Sequence, residues 1–312
     1  MDVYCSETIA PGALERLKRN FTVVDSFDHP QRLVAIITRR VPVRGELLRQ
    51  AKNLKVISMH GVSRDLIDTD TAAELGIPVP NVPHLGAEPV AELAVSMLLS
   101  LNRKLKMIDI GMREGRYHQF GAPEFVCHEV NNKVLGLVGT GDIAKRVAQI
   151  MTAAFGAKVL CYNPHRTPEE CREMGFEQVD TLGELFARSD FVNVSPILSE
   201  ETWHMVNADV LSCAKPGCLL VSTSRGGIVD ETALYNALTH GTLGGAALDV
   251  WEQEPPAPDH PLLTLENFIG TFHIGGSAVE SLERVSNKAV DHVFQYTGIK
   301  EKWDFRILPP CI

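Results

Sequence analysis

The sequence predicts an α/β protein of two domains, each built on a parallel sheet with both faces covered. Three observations predict it. The chain has 312 residues, more than a single core of the usual ~100–200-residue domain organises. Short β-branched runs alternate with amphipathic stretches in two separate parts of the chain, the pattern of strands joined by helices. Mid-chain, an apolar run ends in Gly139-Thr140-Gly141 and passes straight into a helical pattern. That is the context in which a glycine-rich turn is worth reading as a phosphate site.

Taken in order, Val3–Cys5 reads as a strand, and Pro11–Asn20 as a helix with its proline early, where proline is tolerated. Phe21–Val24 and the β-branched run Leu33–Thr38 follow as strands. Glu46–Lys52 reads as helix, Lys55–Ser58 as strand, Thr71–Leu75 as a short helix, and Ile77-Pro78-Val79 as a last strand of the first part. A long helix is expected from Glu88 to about Lys106, because Val90, Leu93, Ala94, Met97, Leu98 and Leu101 recur at helical spacing. Arg103, Lys104 and Lys106 then suit its C-terminal turn. The next 25 residues, rich in Gly, His and charge, read as a connection. The second alternating part has expected strands at Val134–Val138, Lys158–Tyr162, Phe191–Val194, Cys218–Val221 and Ala246–Leu248, with a helix over Ile143–Ala154. One amphipathic helix, Val279–Tyr296, leads to the end. No internal repeat or low-complexity tract interrupts the pattern.

Composition narrows the function classes. With 45% apolar and 22% charged residues the chain is an ordinary globular protein. The net charge of -9 argues against nucleic acid or an anionic membrane as partner, though a local arginine can still hold a small anion. No apolar run is long enough for a spanning helix, and the N-terminus lacks the basic and apolar regions of a secretory signal. Cys5, Cys127, Cys161, Cys171, Cys213, Cys218 and Cys311 form no Cys-x-x-Cys pair. Reduced structural thiols in a cytoplasmic protein, with no metal site, are the expectation.

In the glycine turn, Gly139 permits the tight bend and Gly141 lets the backbone approach a pyrophosphate, while Ala144 keeps helix and strand close. Asp142 and Ile143 open the helix whose terminal amides face the anion. About twenty residues on, where an NAD site carries an acidic residue for the ribose, stands Tyr162-Asn163-Pro164-His165-Arg166. Asn163 can bond a ribose hydroxyl without repelling a 2′-phosphate, and Arg166 can attract one. The cofactor is therefore NAD or NADP. Three downstream segments each offer one chemically useful side chain: Arg225 in Ser222–Gly227, Glu254 in Asp249–Pro255, and His273 in Phe272–Gly276. An arginine fork can grip a carboxylate and polarise an adjacent carbonyl. A histidine can give a proton to that carbonyl, and a carboxylate on its far nitrogen can orient it and stabilise its charged form. Singly such residues mean little, and most of the 11 histidines read as surface or packing residues.

The order of these motifs resembles the D-isomer-specific 2-hydroxyacid dehydrogenases, which include D-3-phosphoglycerate dehydrogenases and hydroxypyruvate or glyoxylate reductases. The resemblance runs through Gly61-Val62-Ser63 with Asp65 and Asp68, Asn81-Val82-Pro83, Val90-Ala91-Glu92, the glycine turn, and Lys215-Pro216-Gly217. It continues through Arg225-Gly226-Gly227 with Val229-Asp230, Asp249–Pro255, His260-Pro261-Leu262 and His273–Gly276. It implies two doubly wound domains: a flavodoxin-like substrate domain, residues 1–101 and 283–312, and a Rossmann cofactor domain, residues 102–282. The active site is expected in the cleft, the assembly to be a homodimer through the cofactor domain, and the substrate to be a small 2-oxo or D-2-hydroxy acid. It also implies Glu254, rather than Glu252, as the partner of His273, and Asp249 as the residue meeting the nicotinamide carboxamide. Ser195, Thr223, Ser224 and Gly275 are expected along the cofactor, and backbone amides around Val62 and Ser63 at the substrate carboxylate. Arg39, Arg40, Arg64 and His84 lie on loops expected to face the substrate tail, although each alone reads as solvated loop charge. Three departures stand out: Ser63 in place of glycine with Arg64 after it, Ser195-Pro196 in place of His-x-Pro, and Phe272 in place of proline. Alternative readings are a formate or phosphite dehydrogenase relative, the former disfavoured by Glu254, and a cofactor-sensing binding protein similar to corepressors.

Overall fold

The computed structural model describes residues 1–5, 9–116 and 123–302, the Glu124 side chain excepted. Cys311, the end of the expected first domain and residues 117–122 of the expected connection lie outside the described residues. The chain forms two compact units, Met1–Gly86 with the chain from Ser277, and Ala87–Gly276.

The first unit opens with β1 (Asp2–Cys5), α1 (Pro11–Lys18), β2 (Thr22–Val24) and β3 (Leu33–Thr38), then α2 (Gly45–Gln50), β4 (Val56–Met59) and α3 (Thr69–Glu74). Its parallel sheet has the order β2-β1-β3-β4. Strand alternation divides the core in two. Val3, Ala35, Ile37 and Val56 face one side, and Tyr4, Ile36, Ile57 and Met59 the other, as period-2 side chains must. Asp68, one of the resemblance motif residues, is the N-cap of α3, accepting from the Thr71 amide. Ile77–Val79 does not become the expected fifth strand. Pro78 and Pro80 offer only carbonyls, to the Ile57 and Met59 amides; lacking N–H groups, they cannot close a ladder.

The second unit begins with α4 (Ala87–Asn102), whose buried stripe from Ala91 to Leu101 packs with Leu135, Leu137, Leu219 and Val221. The unit boundary therefore falls at Gly86/Ala87, and at Gly276/Ser277, rather than at 101/102 and 282/283. The helix also stops earlier than expected. Lys104 adopts a left-handed φ of 53°, and α5 (Leu105–Arg113) starts afresh after it and runs into the segment expected to be a connection. The periodicity is continuous across the break, so spacing alone hides it.

A seven-stranded parallel sheet follows. Its elements are β5 (Val134–Val138), α6 (Asp142–Phe155), β6 (Lys158–Tyr162), α7 (Pro168–Glu173), β7 (Glu177–Gln178), α8 (Leu182–Arg188), β8 (Phe191–Val194), α9 (Ala208–Ser212), β9 (Leu219–Ser222), α10 (Glu231–Thr239), β10 (Gly245–Leu248) and β11 (Phe268–Gly270). The short strands β7 and β11 were not expected. The order β11-β10-β9-β8-β5-β6-β7 reverses direction between β5 and β8, and such a switch point opens a ligand crevice at the strands' C-terminal ends. Local signals set the boundaries: α6 ends at Gly156 in left-handed conformation, and α7 carries a Thr167–Glu170 capping box. The chain then returns to the first unit as α11 (Val279–Thr297). Among the described residues no helix is long and apolar enough to cross a membrane.

Candidate active site

The second unit brings the three chemically useful side chains to the C-terminal ends of three adjacent strands. In the sheet β9 pairs with β10 and β10 with β11, so the turns carrying Arg225, Glu254 and His273 leave the sheet side by side. Two are locked together: His273 Nδ1 lies 2.8 Å from Glu254 Oε2. Glu252, the neighbouring carboxylate, points elsewhere and meets His204 Nε2 at 2.8 Å. The Arg225 turn packs against the same loop, since a Cβ on Gly226 would fall 1.8 Å from the Trp251 carbonyl oxygen; only glycine permits that approach. Arg225 Nη1 donates to the Ser224 carbonyl at 2.7 Å.

Asp249 organises the histidine loop. It is buried, and its carboxylate accepts from Thr271 Oγ1 at 2.6 Å, the Ile274 amide at 2.8 Å and the Gly275 amide at 2.8 Å. Its backbone carbonyl accepts from the His273 amide at 2.7 Å. The indole N–H of Trp251 donates to the Thr271 carbonyl at 2.7 Å and the Trp251 amide to Glu254 Oε1 at 3.2 Å. Glu231, at the start of α10, accepts from the Glu252 amide at 2.7 Å and meets His260 Nε2 at 3.0 Å. Burial raises the Glu231 carboxyl above its ordinary range. Thr271, Glu231, His204 and His260 escaped the sequence reading as contributors here; the motif His260-Pro261-Leu262 was visible, but not what its histidine touches.

At the topological switch point the structure offers a bed for a dinucleotide. Gly139 sits at φ 85°, left-handed as a tight turn requires, with Pro196 backbone 3.2 Å from where its Cβ would be. At Gly141 an added Cβ would meet nothing within 4 Å, so backbone is open there, and Asp142 and Ile143 begin α6. Buried hydroxyls of Ser195, Ser222, Thr223 and Ser224 find no hydrogen-bond partner among the described residues, nor does the amide of Asn193. Buried polar groups are normally satisfied, and Ser195, Thr223 and Ser224 stand just past the C-terminal ends of β8 and β9, where a polar ligand would satisfy them. The residues present thus fit a dinucleotide. After β6, Asn163 Nδ2 and Arg166 Nε both donate to Thr140 Oγ1, at 2.7 and 3.0 Å, and His165 is exposed on the same turn.

In the first unit, the loop after β4 is braced by its neighbour. Asn81 Nδ2 donates to the Val62 carbonyl at 2.6 Å, Arg64 Nη2 to Asn81 Oδ1 at 3.2 Å, and Ser63 Oγ to Asp65 at 2.7 Å. Val62 is exposed, and His84 takes a left-handed φ of 66°. Burial pushes the Cys161 and Cys218 thiols up to about 12, as suits structural rather than reactive cysteines.

The chain is similar to proteins of known kind. Residues 95–275 match the model of the D-isomer specific 2-hydroxyacid dehydrogenase, NAD binding domain. A hydroxypyruvate reductase of Thermotoga maritima is 35% identical over 272 residues, 86% of each chain. A D-3-phosphoglycerate dehydrogenase of Methanocaldococcus jannaschii is 36% identical over 248 residues, 80% of this chain but 46% of that one; this chain spans about half of that relative's length. Among solved structures, D-lactate dehydrogenase from Aquifex aeolicus, complexed with NAD and lactic acid, superposes with a TM-score of 0.84 at 31% identity, covering 96% of both chains. An acyclic imino acid reductase in complex with NADPH and D-Arg gives 0.84 at 26% identity, covering 96% of this chain and 97% of that one. With this match over most of its length, the chain belongs to the D-isomer-specific 2-hydroxyacid dehydrogenase family.

Proposed function

We propose that this NAD(P)-dependent oxidoreductase interconverts a small 2-oxo acid and its D-2-hydroxy acid, with Arg225, Glu254 and His273 as its catalytic group. The 2.8 Å His273–Glu254 pair, beside the Arg225 turn at the ends of three adjacent strands, carries the reading. The bound cofactor supplies the hydride in reduction and accepts it in oxidation. With Nδ1 of His273 engaged by the Glu254 carboxylate, Nε2 is the atom that delivers a proton to the substrate carbonyl oxygen and recovers it in reverse. Glu254 holds the ring's orientation through that bond. The Arg225 fork binds the substrate carboxylate and polarises the carbonyl.

For the cofactor, backbone at Gly139 and Gly141 and the first amides of α6, at Asp142 and Ile143, would hold the pyrophosphate. Asn163, His165 and Arg166 would take the adenosine end, and Ser195, Thr223, Ser224, Asp249 and Gly275 the nicotinamide end. The unpartnered hydroxyls at 195, 223 and 224 support that assignment. Val62, Ser63, Arg64 and His84 of the first unit are assigned to substrate selection. The hydroxypyruvate reductase, D-3-phosphoglycerate dehydrogenase and D-lactate dehydrogenase relatives support a small 2-oxo acid as substrate. A homodimer through the second unit is inferred from the family; Leu105 and Met112, exposed one heptad apart on α5, suit a contact with a second copy. A cytoplasmic location is inferred from the cysteine pattern.

Replacing His273 by alanine tests the central assignment. Turnover should fall roughly 10²- to 10⁴-fold, the contribution of a general acid–base, while cofactor Kd stays within a few-fold. Equal loss of cofactor binding would refute the proton-transfer role. For Arg225→Lys, KM for the 2-oxo acid should rise, because an ammonium cannot form the planar fork; an unchanged kcat/KM would remove Arg225 from substrate capture.

A further inference from the structure

The turn between β6 and α7 bears on which of the two cofactors is used. We infer that this site is built for the 2′-phosphorylated dinucleotide, NADP(H), and that Arg166 selects it. The inference rests on the second unit being the dinucleotide domain, and goes beyond it by naming the cofactor's chemistry.

In doubly wound domains that take NAD, a carboxylate after the second strand accepts the ribose hydroxyl, whereas a nearby arginine accommodates a 2′-phosphate. Here the position holds Asn163, and its amide is committed to the turn itself. Oδ1 accepts from the His165 backbone amide at 3.0 Å, and Nδ2 donates to Thr140 Oγ1 at 2.7 Å. An amide also lacks the charge that would repel a phosphate dianion. Arg166 is anchored at its Nε although part of the side chain remains exposed. Its Nε donates to the same buried hydroxyl of Thr140 at 3.0 Å, so one residue of the glycine turn anchors both side chains. Gln178 Nε2 then pins the backbone of the turn, donating to the carbonyls of Asn163 at 2.8 Å and Arg166 at 3.0 Å.

The guanidinium has one ion pair among the described residues, with Glu170 at 3.6 Å. That pair is long and runs through Oε1, while Oε2 accepts from the Thr167 amide at 2.8 Å in the α7 capping box; side chains this exposed form pairs of little energy. A phosphate presenting several oxygens to a planar fork outcompetes such a pair. His165, exposed on the same turn, adds an imidazole. A 2′-hydroxyl, by contrast, meets an engaged amide and a cation, and finds no carboxylate at the position that recognises it.

The experiment is a fluorescence titration of the intact protein with NADPH and NADH, paired with calorimetric titration by adenosine 2′,5′-bisphosphate and AMP. The expected Kd for NADPH is about tenfold or more below that for NADH, the scale of one charge-assisted contact, with the fragments in the same order. Arg166→Ala should bring NADPH to within about threefold of NADH. Asn163→Asp should reverse the preference by adding the missing carboxylate. Arg166→Lys, which keeps the charge and loses the fork, should retain an intermediate preference. If the protein binds NADH as tightly as NADPH or tighter, the proposal falls and the dinucleotide reading stands. If neither nucleotide binds, both fall. A preference for NADPH that persists in a folded Arg166→Ala protein, of unchanged Tm and circular dichroism, overturns the assignment to Arg166.

Discussion

His273 is held at a left-handed φ of 59°, a conformation costing a non-glycine residue on the order of 1–2 kcal/mol. Asp249 offsets that cost. Its carboxylate takes the amides of residues 274 and 275 and the hydroxyl of Thr271, and its carbonyl takes the amide of His273 itself. The ring is thereby presented to Glu254 from a fixed backbone. Replacing Asp249 by asparagine would turn an N–H₂ toward backbone donors, leaving at least one buried amide unsatisfied. Stability should drop by about 2 kcal/mol and kcat should fall by more than tenfold as the His273–Glu254 geometry loosens, measured by urea unfolding and initial rates. Unchanged kcat with lowered stability would show that the loop does not depend on this carboxylate. That Glu254, rather than Glu252, meets His273 was legible in the sequence from motif order and spacing. What Asp249 faces was not, because burial and the direction of a side chain belong to the packed sheet.

Seating of α11 on β4 depends on two buried histidines. Period-2 alternation puts Val56, Ser58 and His60 on one side of the chain, and α11 meets that side. His60 Nε2 lies 2.9 Å from Ser286 Oγ, and Ser58 Oγ lies 3.1 Å from His292 Nδ1. Burial, aided by nearby Arg39, lowers His60 from 6.5 to about 4. Burial, with Lys288 adding to it and Asp291 opposing, lowers His292 as well. A histidine lowered on folding is neutral in the native state, while the unfolded chain takes up a proton below 6.5. Between 6.5 and about 4 the unfolded state thus binds more protons, and stability declines as pH falls through that window. For His60 alone the loss from pH 7 to pH 4 should approach about 3 kcal/mol. His60→Gln should flatten the pH dependence of the urea midpoint; equal slopes for variant and parent would contradict this account. Elements with strong local signals, such as Leu33–Thr38, α6 and α11, were legible within a few residues. The stop at Lys104 and the loss of Ile77–Val79 as a strand were not, since the first is a backbone turn inside an unbroken periodicity and the second a hydrogen-bond deficit created by two prolines.

At the scale of the whole chain, two sheet orders with reversal points, β2-β1-β3-β4 and β11-β10-β9-β8-β5-β6-β7, account for most of what the sequence pattern predicted. The glycine turn and the Arg225, Glu254 and His273 segments all fall in the second unit, at the C-terminal ends of its strands, where doubly wound sheets hold ligands. The division of the chain at Gly86 rather than at 101 was hidden, because α4 is amphipathic whichever sheet it covers. A negative overall charge of -9 coexists with local cations at Arg225 and Arg166, so in the proposed reading anionic ligands are held by individual side chains and not by the field of the molecule. The most direct test of the central claim is the initial rate of NADPH and NADH oxidation with glyoxylate, hydroxypyruvate, phosphohydroxypyruvate and longer 2-oxo acids, with the product's configuration determined. Turnover of at least one of these acids to the D-2-hydroxy acid is expected, and its loss in His273→Ala. Failure of every 2-oxo acid to oxidise either cofactor, or an L-configured product, would contradict it.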